Sequence, residues 1–317
     1  MKETVVAIPV YKYRYTNLID NISKVLDKYD VILFTHDDDD AIGEYEKYKN
    51  VLTDVICVHA ENINQKRLAV YNKCKELGYR YMFELDDDLK WEGKYIDESC
   101  KRQTSNSYKY KKIEFEKLFD ELLDKMKLHD AGMASFMLPF YIGFGCPEEV
   151  RENTKLNAGQ FVLFDLQKLA EKNVTYRFPD MSGTDDVSFM LDALVSGLKV
   201  ITLQYMSYGL CNNNFFNEGN HSSSEFTTHY KRYYLIIWDN INFNVPISID
   251  KRGVLHRRIR WDKYYDISEM PPFNSKRDKA VHEMIMNYYN EHHTVDDTIT
   301  KNVIDYLMDD YNKSHNK

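Results

Sequence analysis

The stretch Phe83-Glu84-Leu85-Asp86-Asp87-Asp88 sets three acids at the end of an apolar run. Acids gathered where a buried strand ends are unfavourable unless something positive shares the site. Oxygen-only ligands suit Mg2+ or Mn2+, which take one or two carboxylates and complete their shells with phosphate oxygens and water. If the strand persists, Asp86 and Asp88 point one way and Asp87 the other. A plain acidic strand-to-loop turn is the alternative, since aspartate favours turns. A second acid pair, Asp185-Asp186, follows Gly183-Thr184 at the head of a segment with helical spacing. There a carboxylate could take the proton of an attacking hydroxyl. The same acids could instead only favour the helix dipole behind a Thr184 cap. Asn157-Ala158-Gly159-Gln160 precedes an apolar run and could floor an acceptor site or form an ordinary turn.

Placing these residues is the task of an alternating pattern. Strand-like Thr4–Val10 is followed by helical spacing over Asn17–Leu26, and a short strand, Val31–Phe34, by the acids at 37–40. Val55–Val58 precedes a helix expected from Asn62 to Leu77, with Gly78 as its stop, and Tyr81–Leu85 runs straight into the acids. Such alternation predicts parallel strands with covering helices, an α/β Rossmann-like sheet that binds ligands at its carboxyl edge. Residues 92–112 read as a polar loop and Ile113–Leu128 as a helix. Further strands are expected at Ala131–Leu138, Phe161–Phe164 and Val200–Leu203, with helices at Leu166–Glu171 and Asp185–Ser196. The pattern changes near residue 240. The division drawn there is a domain at 1–240 and a loop-and-helix extension at 241–317, with helices at Lys276–Glu291 and Asp296–Tyr311.

Bulk properties narrow the class. A chain of 317 residues buries about 75% of its unfolded surface and needs no staple. Hydrophobic residues at 43% and charged residues at 29% are the composition of a globular protein, and no apolar run approaches a bilayer span. Cys57, Cys74, Cys100, Cys146 and Cys211 form no CxxC pair, which argues against a zinc ribbon or disulfide scaffold. The opening MKETVVAIPV carries no signal-peptide pattern, so a cytoplasmic location is expected, that of the host if the source is viral. Net charge is −8, against a general nucleic-acid binder. Yet residues 101–112 hold five Lys/Arg and no acid, and 251–263 hold six against Asp262 alone. These stretches, with Trp261, Tyr264 and Tyr265, are either solvated surface or a groove for DNA with stacking platforms.

The acid run resembles the DxD motif of GT-A glycosyltransferases, whose acids hold a divalent metal against a sugar-nucleotide diphosphate. Three stretches resemble family-2-like members in the same order: Val5 to Tyr11 with its Ile-Pro-Val, Ile32 to Phe34 followed by Asp37-Asp38, and Asn64 to Leu68. The resemblance covers about residues 3–90. It implies Asp86 and Asp88 as ligands of Mn2+ or Mg2+, and Pro9, Tyr11, Asp38, Lys66, Arg67 and Asp87 around a nucleotide-sugar, a UDP-sugar being favoured. Gly183 to Phe189 is similar to the Glu-Asp motif of inverting members, which implies Asp186 as general base with Asp185 in place of the usual Glu. The family often adds a late histidine to the metal, here His221 or His229, and His221 is preferred because it falls in a loop.

The layout, with Asp86-Asp87-Asp88 and Thr184-Asp185-Asp186, also resembles phage TET-associated enzymes that glycosylate hydroxymethylated DNA bases. That implies a DNA acceptor; a saccharide, lipid-linked or protein acceptor is the other reading. Two readings lie outside glycosyl transfer. A nucleotidyltransferase would open with a glycine-rich loop where this chain has Tyr11-Lys12-Tyr13-Arg14-Tyr15. A non-catalytic nucleic-acid-binding module would leave Asp86, Asp88 and Asp186 without a role. The sequence leaves inversion or retention open.

Overall fold

The computed structural model describes residues 2–10, 17–36, 48–100, 102–104, 107–139, 142, 148–153, 160–177, 185–210, 230–259, 273 and 275–315. The first half is strand and helix by turns: β1 (Thr4–Pro9), α1 (Asn17–Asn21), β2 (Asp30–His36), β3 (Asp54–Val58), α2 (Ile63–Glu76) and β4 (Tyr81–Leu85). Then come β5 (Leu89–Tyr95), β6 (Arg102–Thr104), β7 (Ser107–Tyr108), β8 (Lys111–Ile113) and α3 (Glu116–Leu128). The middle holds β9 (Met133–Phe136), β10 (Val150–Glu152), β11 (Phe161–Asp165), α4 (Leu166–Glu171), α5 (Asp185–Val195), β12 (Val200–Leu203) and β13 (Met206–Leu210). The chain ends with α6 (Tyr234–Phe243), β14 (Ile247–Ile249), β15 (Leu255–Arg257), α7 (Lys276–His292) and α8 (Asp297–His315).

Eight strands form the central sheet in the order β10-β12-β9-β11-β4-β1-β2-β3. Pairing is parallel from β3 to β4, while β11 runs against both β4 and β9, and β10 against β12. Six strands therefore point the same way. The carboxyl ends of β1, β2, β3 and β4 share one edge, and β11 starts there. Helices cover both faces, so β1 is buried throughout, as its β-branched run requires.

Alternation along β4 divides the two cores. Tyr81, Phe83 and Leu85 join the core that includes Phe115, Phe119 and Phe161; Met82 joins the core of Val70, Tyr71 and Leu191. Glu84 falls on the second face, the face of α2. That helix buries Val70, Tyr71 and Cys74 in its later turns but Asn64, Lys66 and Arg67 in its first turns. Its cap is Asn62, whose side chain accepts from the N–H groups of Asn64 and Gln65. Gly78, at φ +83°, ends the helix in a left-handed turn.

The polar loop expected over 92–112 is instead largely β-structure. β5 pairs antiparallel with β13 and β8, and β6 with β7. Lysines and glutamates on the ribbon's wet face, such as Lys112 with Glu92 at 3.0 Å, disguise it as loop. Gly93 is required in this ribbon, since a Cβ there would come 2.7 Å from Ile113 Cγ1. Strands β10, β13, β14 and β15 and helix α6 likewise go beyond the sequence expectation, since their apolar residues show no clean period.

The last helices share a third core, in which Tyr233, Ile236 and Ile237 pack with Val281, Ile285, Val303 and Leu307. Phe243 and Val245 belong to the core under α5. The division drawn at 240/241 thus falls within α6, which touches both cores. Among the described residues no helix is long and apolar enough to cross a membrane.

Candidate functional site

β4 stops at Leu85, and Asp86 to Asp88 form a turn before β5. Of the two readings the sequence left for these acids, a persisting strand and a turn, the backbone is the turn, as aspartate's turn preference explains. Asp87 is the most buried of the three, at 5% exposure, while Asp86 and Asp88 are half-buried. The turn is tied at both ends: the Asp86 N–H donates to the Gln160 carbonyl at 2.9 Å, and the Leu89 N–H reaches the Asp86 carbonyl at 3.4 Å.

Two cations of α2 meet this turn, because the helix starts at the edge where β3 ends. Arg67, 8% exposed, lies between two carboxylates, with Nε 3.2 Å from Glu84 Oε1 and Nη2 3.4 Å from Asp86 Oδ1. Lys66 Nζ donates to the carbonyl oxygen of Val10, just past β1, so that it links α2 to the Pro9 end of that strand. Burial lowers the Lys66 ammonium to about 8, against the pull of nearby Asp87 and Cys57. Burial also raises the Asp86 carboxyl well above its ordinary value; Arg67 opposes this, and Asp88, Asp87 and Glu84 add to it.

Among the described residues, Glu84 and Asp86 stand against Arg67, Asp87 lies near Lys66 and Asp88 near Asp86, which gathers hard oxygen atoms at the turn. That donor set fits Mg2+ or Mn2+, which need only one or two protein carboxylates beside phosphate. Among the described residues no three His, Cys, Asp or Glu side chains converge on a metal position. Further ligands would have to come from phosphate, water or the residues outside this set.

Asp185 and Asp186 open α5, which leads down to the start of β12, so its first turn stands toward the carboxyl edge. Asp186 is half-buried. One turn on, Ser188 Oγ donates to Asp239 Oδ2 of α6 at 3.1 Å, and Asp239 is paired with Arg257 of β15. A cavity of about 380 Å3 flanks α5, lined by Arg177, Ser188, Asp192 and Asp239 among others; no residue of the acid turn lines it.

The structure thus gathers Pro9, Lys66, Arg67, Asp86, Asp87 and Asp88 at one edge. Tyr11, Asp38, Asn157, Ala158, Gly159, Thr184, His221, His229, Trp261, Tyr264 and Tyr265 lie outside the described residues. Gln160 stands beside the acid turn, with Oε1 accepting from the Tyr208 hydroxyl at 2.9 Å. Sequence reasoning missed Glu84, though an acid inside an apolar strand and an arginine on an inward helix face were the signal. It also missed Tyr208 and Asp239, whose neighbours give no such sign.

Among the described residues, five basic side chains of the two stretches pair within the chain. Lys111 pairs with Asp97 at 2.8 Å, Lys112 with Glu92 at 3.0 Å and Arg252 with Asp250 at 2.8 Å, while Arg257 and Arg258 pair with Asp239 and Asp278.

No protein-family model and no curated protein matches the sequence. Solved structures match it in fold. S. aureus TarS 1-349 is 13% identical, with 99% of this chain and 92% of that one covered at a TM-score of 0.52. The same fragment in complex with UDP aligns over 66% of this chain and 59% of that one, at 16% identity and a TM-score of 0.46. GalNAc-T7 with UDP, GalNAc and Mn2+ aligns over 98% of this chain and 57% of that one, at 12% identity and a TM-score of 0.49. The chain therefore spans less than two thirds of the UDP complex and of GalNAc-T7. At such identities the likeness is one of fold: the chain has a GT-A-type α/β fold, a mostly parallel sheet flanked by helices with a helical C-terminal region.

Proposed function

We propose that the chain is a metal-dependent glycosyltransferase that moves a sugar from a nucleotide-sugar, a UDP-sugar by preference, to an acceptor hydroxyl. The observation that carries this is the meeting of the Asp86–Asp88 turn with Lys66 and Arg67 at the carboxyl edge of a GT-A-type sheet. TarS, whose fragment shares the fold, has been crystallised with UDP, which supports the choice of nucleotide.

Asp86 and Asp88 would hold Mn2+ or Mg2+, with His221 or His229 as a further ligand, and the ion would neutralise charge on the departing nucleoside diphosphate. Arg67 and Lys66 put fixed positive charge beside the same diphosphate, in a site dry enough for it to count. Asp87 stays buried near Lys66 and favours the charged form of that lysine. Pro9, Tyr11 and Asp38 hold the base and ribose. Asp186, with Asp185 adjacent, takes the acceptor proton as the acceptor oxygen bonds the anomeric carbon and the bond to the diphosphate breaks. Residues 1–240 form the transferase domain in this reading, and 241–317 an extension packed on it.

For the acceptor, a hydroxymethylated DNA base and a hydroxyl on a saccharide, lipid-linked glycan or protein are served by the same chemistry. The intrachain pairing of Lys111, Lys112, Arg252, Arg257 and Arg258 favours the second class. The test is a thermal-shift screen of sugar nucleotides with and without Mn2+, since a ligand of the folded state raises the melting temperature. A metal-dependent shift with one sugar nucleotide is expected. That sugar, radiolabelled, is then offered to hydroxymethylated DNA and to glycans. A screen in which no sugar nucleotide acts, while DNA alone does, would overturn the transferase reading in favour of a binding module.

A further inference from the structure

Glu84 is a carboxylate buried in the middle of the sheet. It is 1% exposed, pairs across β4 with Ala7 and Val162, and lies on the face covered by α2. Its salt-bridge partner is the buried Arg67, at 3.2 Å, and the far end of that guanidinium is 3.4 Å from Asp86. A buried ion pair is a weak device for stability, because well-packed apolar residues do as well or better. It is a strong device for direction. The guanidinium is planar and rigid, so fixing its Nε edge fixes where its Nη edge points.

We propose that Glu84 is a positioning residue for the donor site. Its charge, 3.2 Å from Arg67 Nε in an ion pair outside hydrogen-bond geometry, draws the Nε edge inward and so turns the Nη edge toward Asp86 and a nucleoside diphosphate bound beside it. Glu84 itself touches no ligand. The inference rests on the transferase reading above and adds to it a residue that acts only through Arg67.

The experiment is a double-mutant cycle read by calorimetry, with UDP and Mn2+ as the probe, or GDP where the wild-type chain prefers it. Glu84→Gln is expected to weaken nucleotide binding about tenfold, the scale of a lost supporting shell. Arg67→Met should weaken it at least as much. Adding Glu84→Gln to Arg67→Met should change affinity no further. A Glu84→Met, Arg67→Met chain should melt near the wild-type temperature and still bind nucleotide poorly, which separates aiming from folding. If Glu84→Gln fails to fold, Glu84→Asp carries the same expectation, since it keeps the charge and withdraws it by one methylene. Wild-type affinity in the Glu84 variant that folds, or an equal loss with and without Arg67, overturns the proposal. A wild-type chain that binds neither nucleotide overturns the transferase reading, a result distinct from either of those.

Discussion

The backbone N–H of Asp86 donates to the carbonyl of Gln160 across 2.9 Å, joining the acid turn to the strand that starts where β4 ends. The far side of Gln160 is held as well, because the fully buried Tyr208 donates its hydroxyl to the Gln160 side chain. Next along the chain, Phe161 packs against the rings of Phe83, Phe115, Phe119, Phe136 and Tyr208. The turn thus rests on an aromatic core through one residue. Tyr208→Phe is expected to lower stability by about 1 kcal/mol, the net value of a hydrogen bond. It should also weaken nucleotide binding, because the turn loosens. Urea unfolding with an unchanged slope checks the first part and calorimetry the second. Wild-type values in both would show that Gln160 needs no such support.

The acid turn should trade stability against binding. Burial and the neighbouring acids raise the Asp86 carboxyl, with Arg67 opposing them, so the folded chain holds a proton there more tightly than the unfolded one. Stability from this group is therefore present at low pH and falls as pH rises above the ordinary value of 3.8. Asp86→Asn removes that penalty. At pH 7 and without metal it is expected to melt higher than the wild type, while its Mn2+-dependent shift with a sugar nucleotide disappears. An Asp86→Asn chain that keeps the shift would remove Asp86 from the metal site.

Much of this arrangement was legible before the structure. The apolar runs at Thr4–Val10, Tyr81–Leu85 and Val200–Leu203 fold as strands, the first ending at Pro9, and Leu166–Glu171 folds as a helix. Lys66 and Arg67 were set near the acids by the resemblance to family-2-like glycosyltransferases, and a parallel sheet, which gathers strand ends and helix starts at one edge, accounts physically for the placing. Sequence placed the end of β4 at Leu85 but left open whether the aspartates beyond it stay extended or turn, because a run of aspartates suits both. Nor could it show that Arg257 and Arg258 are spent on Asp239 and Asp278, which lie 18 and 20 positions away. Charge runs report composition, whereas ion pairs report tertiary contact.

Lys66 offers a pH signature. Its value falls from 10.5 to about 8 chiefly by burial, with Asp87 pulling the other way. Between those limits the unfolded chain binds a proton that the folded chain has released, so stability rises with pH across the window. The span corresponds to about 3 kcal/mol at most. Lys66→Met should melt higher than the wild type at pH 7 and lose the rise between pH 8 and 10. Nucleotide affinity of the wild type should fall as pH passes 8, when the ammonium discharges, and that of Lys66→Met should stay flat. Parallel pH profiles for the two chains would show that Lys66 does not face the donor.

The C-terminal segment reaches α5 through one buried network. Arg257 of β15 pairs with Asp239 of α6, and both meet Ser188 of α5, at 3.1 Å from Asp239 and 3.2 Å from Arg257. Ser188 stands two positions after Asp186, so the network holds the helix whose first turn carries the proposed base. Arg257→Met alone strands a buried carboxylate and should cost about 3–5 kcal/mol. Pairing it with Asp239→Leu should restore most of that loss, since apolar side chains replace both charges, yet leave α5 without its polar tether. The double variant is expected to bind nucleotide as the wild type does and to transfer sugar more slowly, a fall in kcat without a change in donor affinity. Wild-type kcat in a well-folded double variant would mean that the C-terminal segment supports the fold alone; an altered donor affinity would place its influence on the other half of the site.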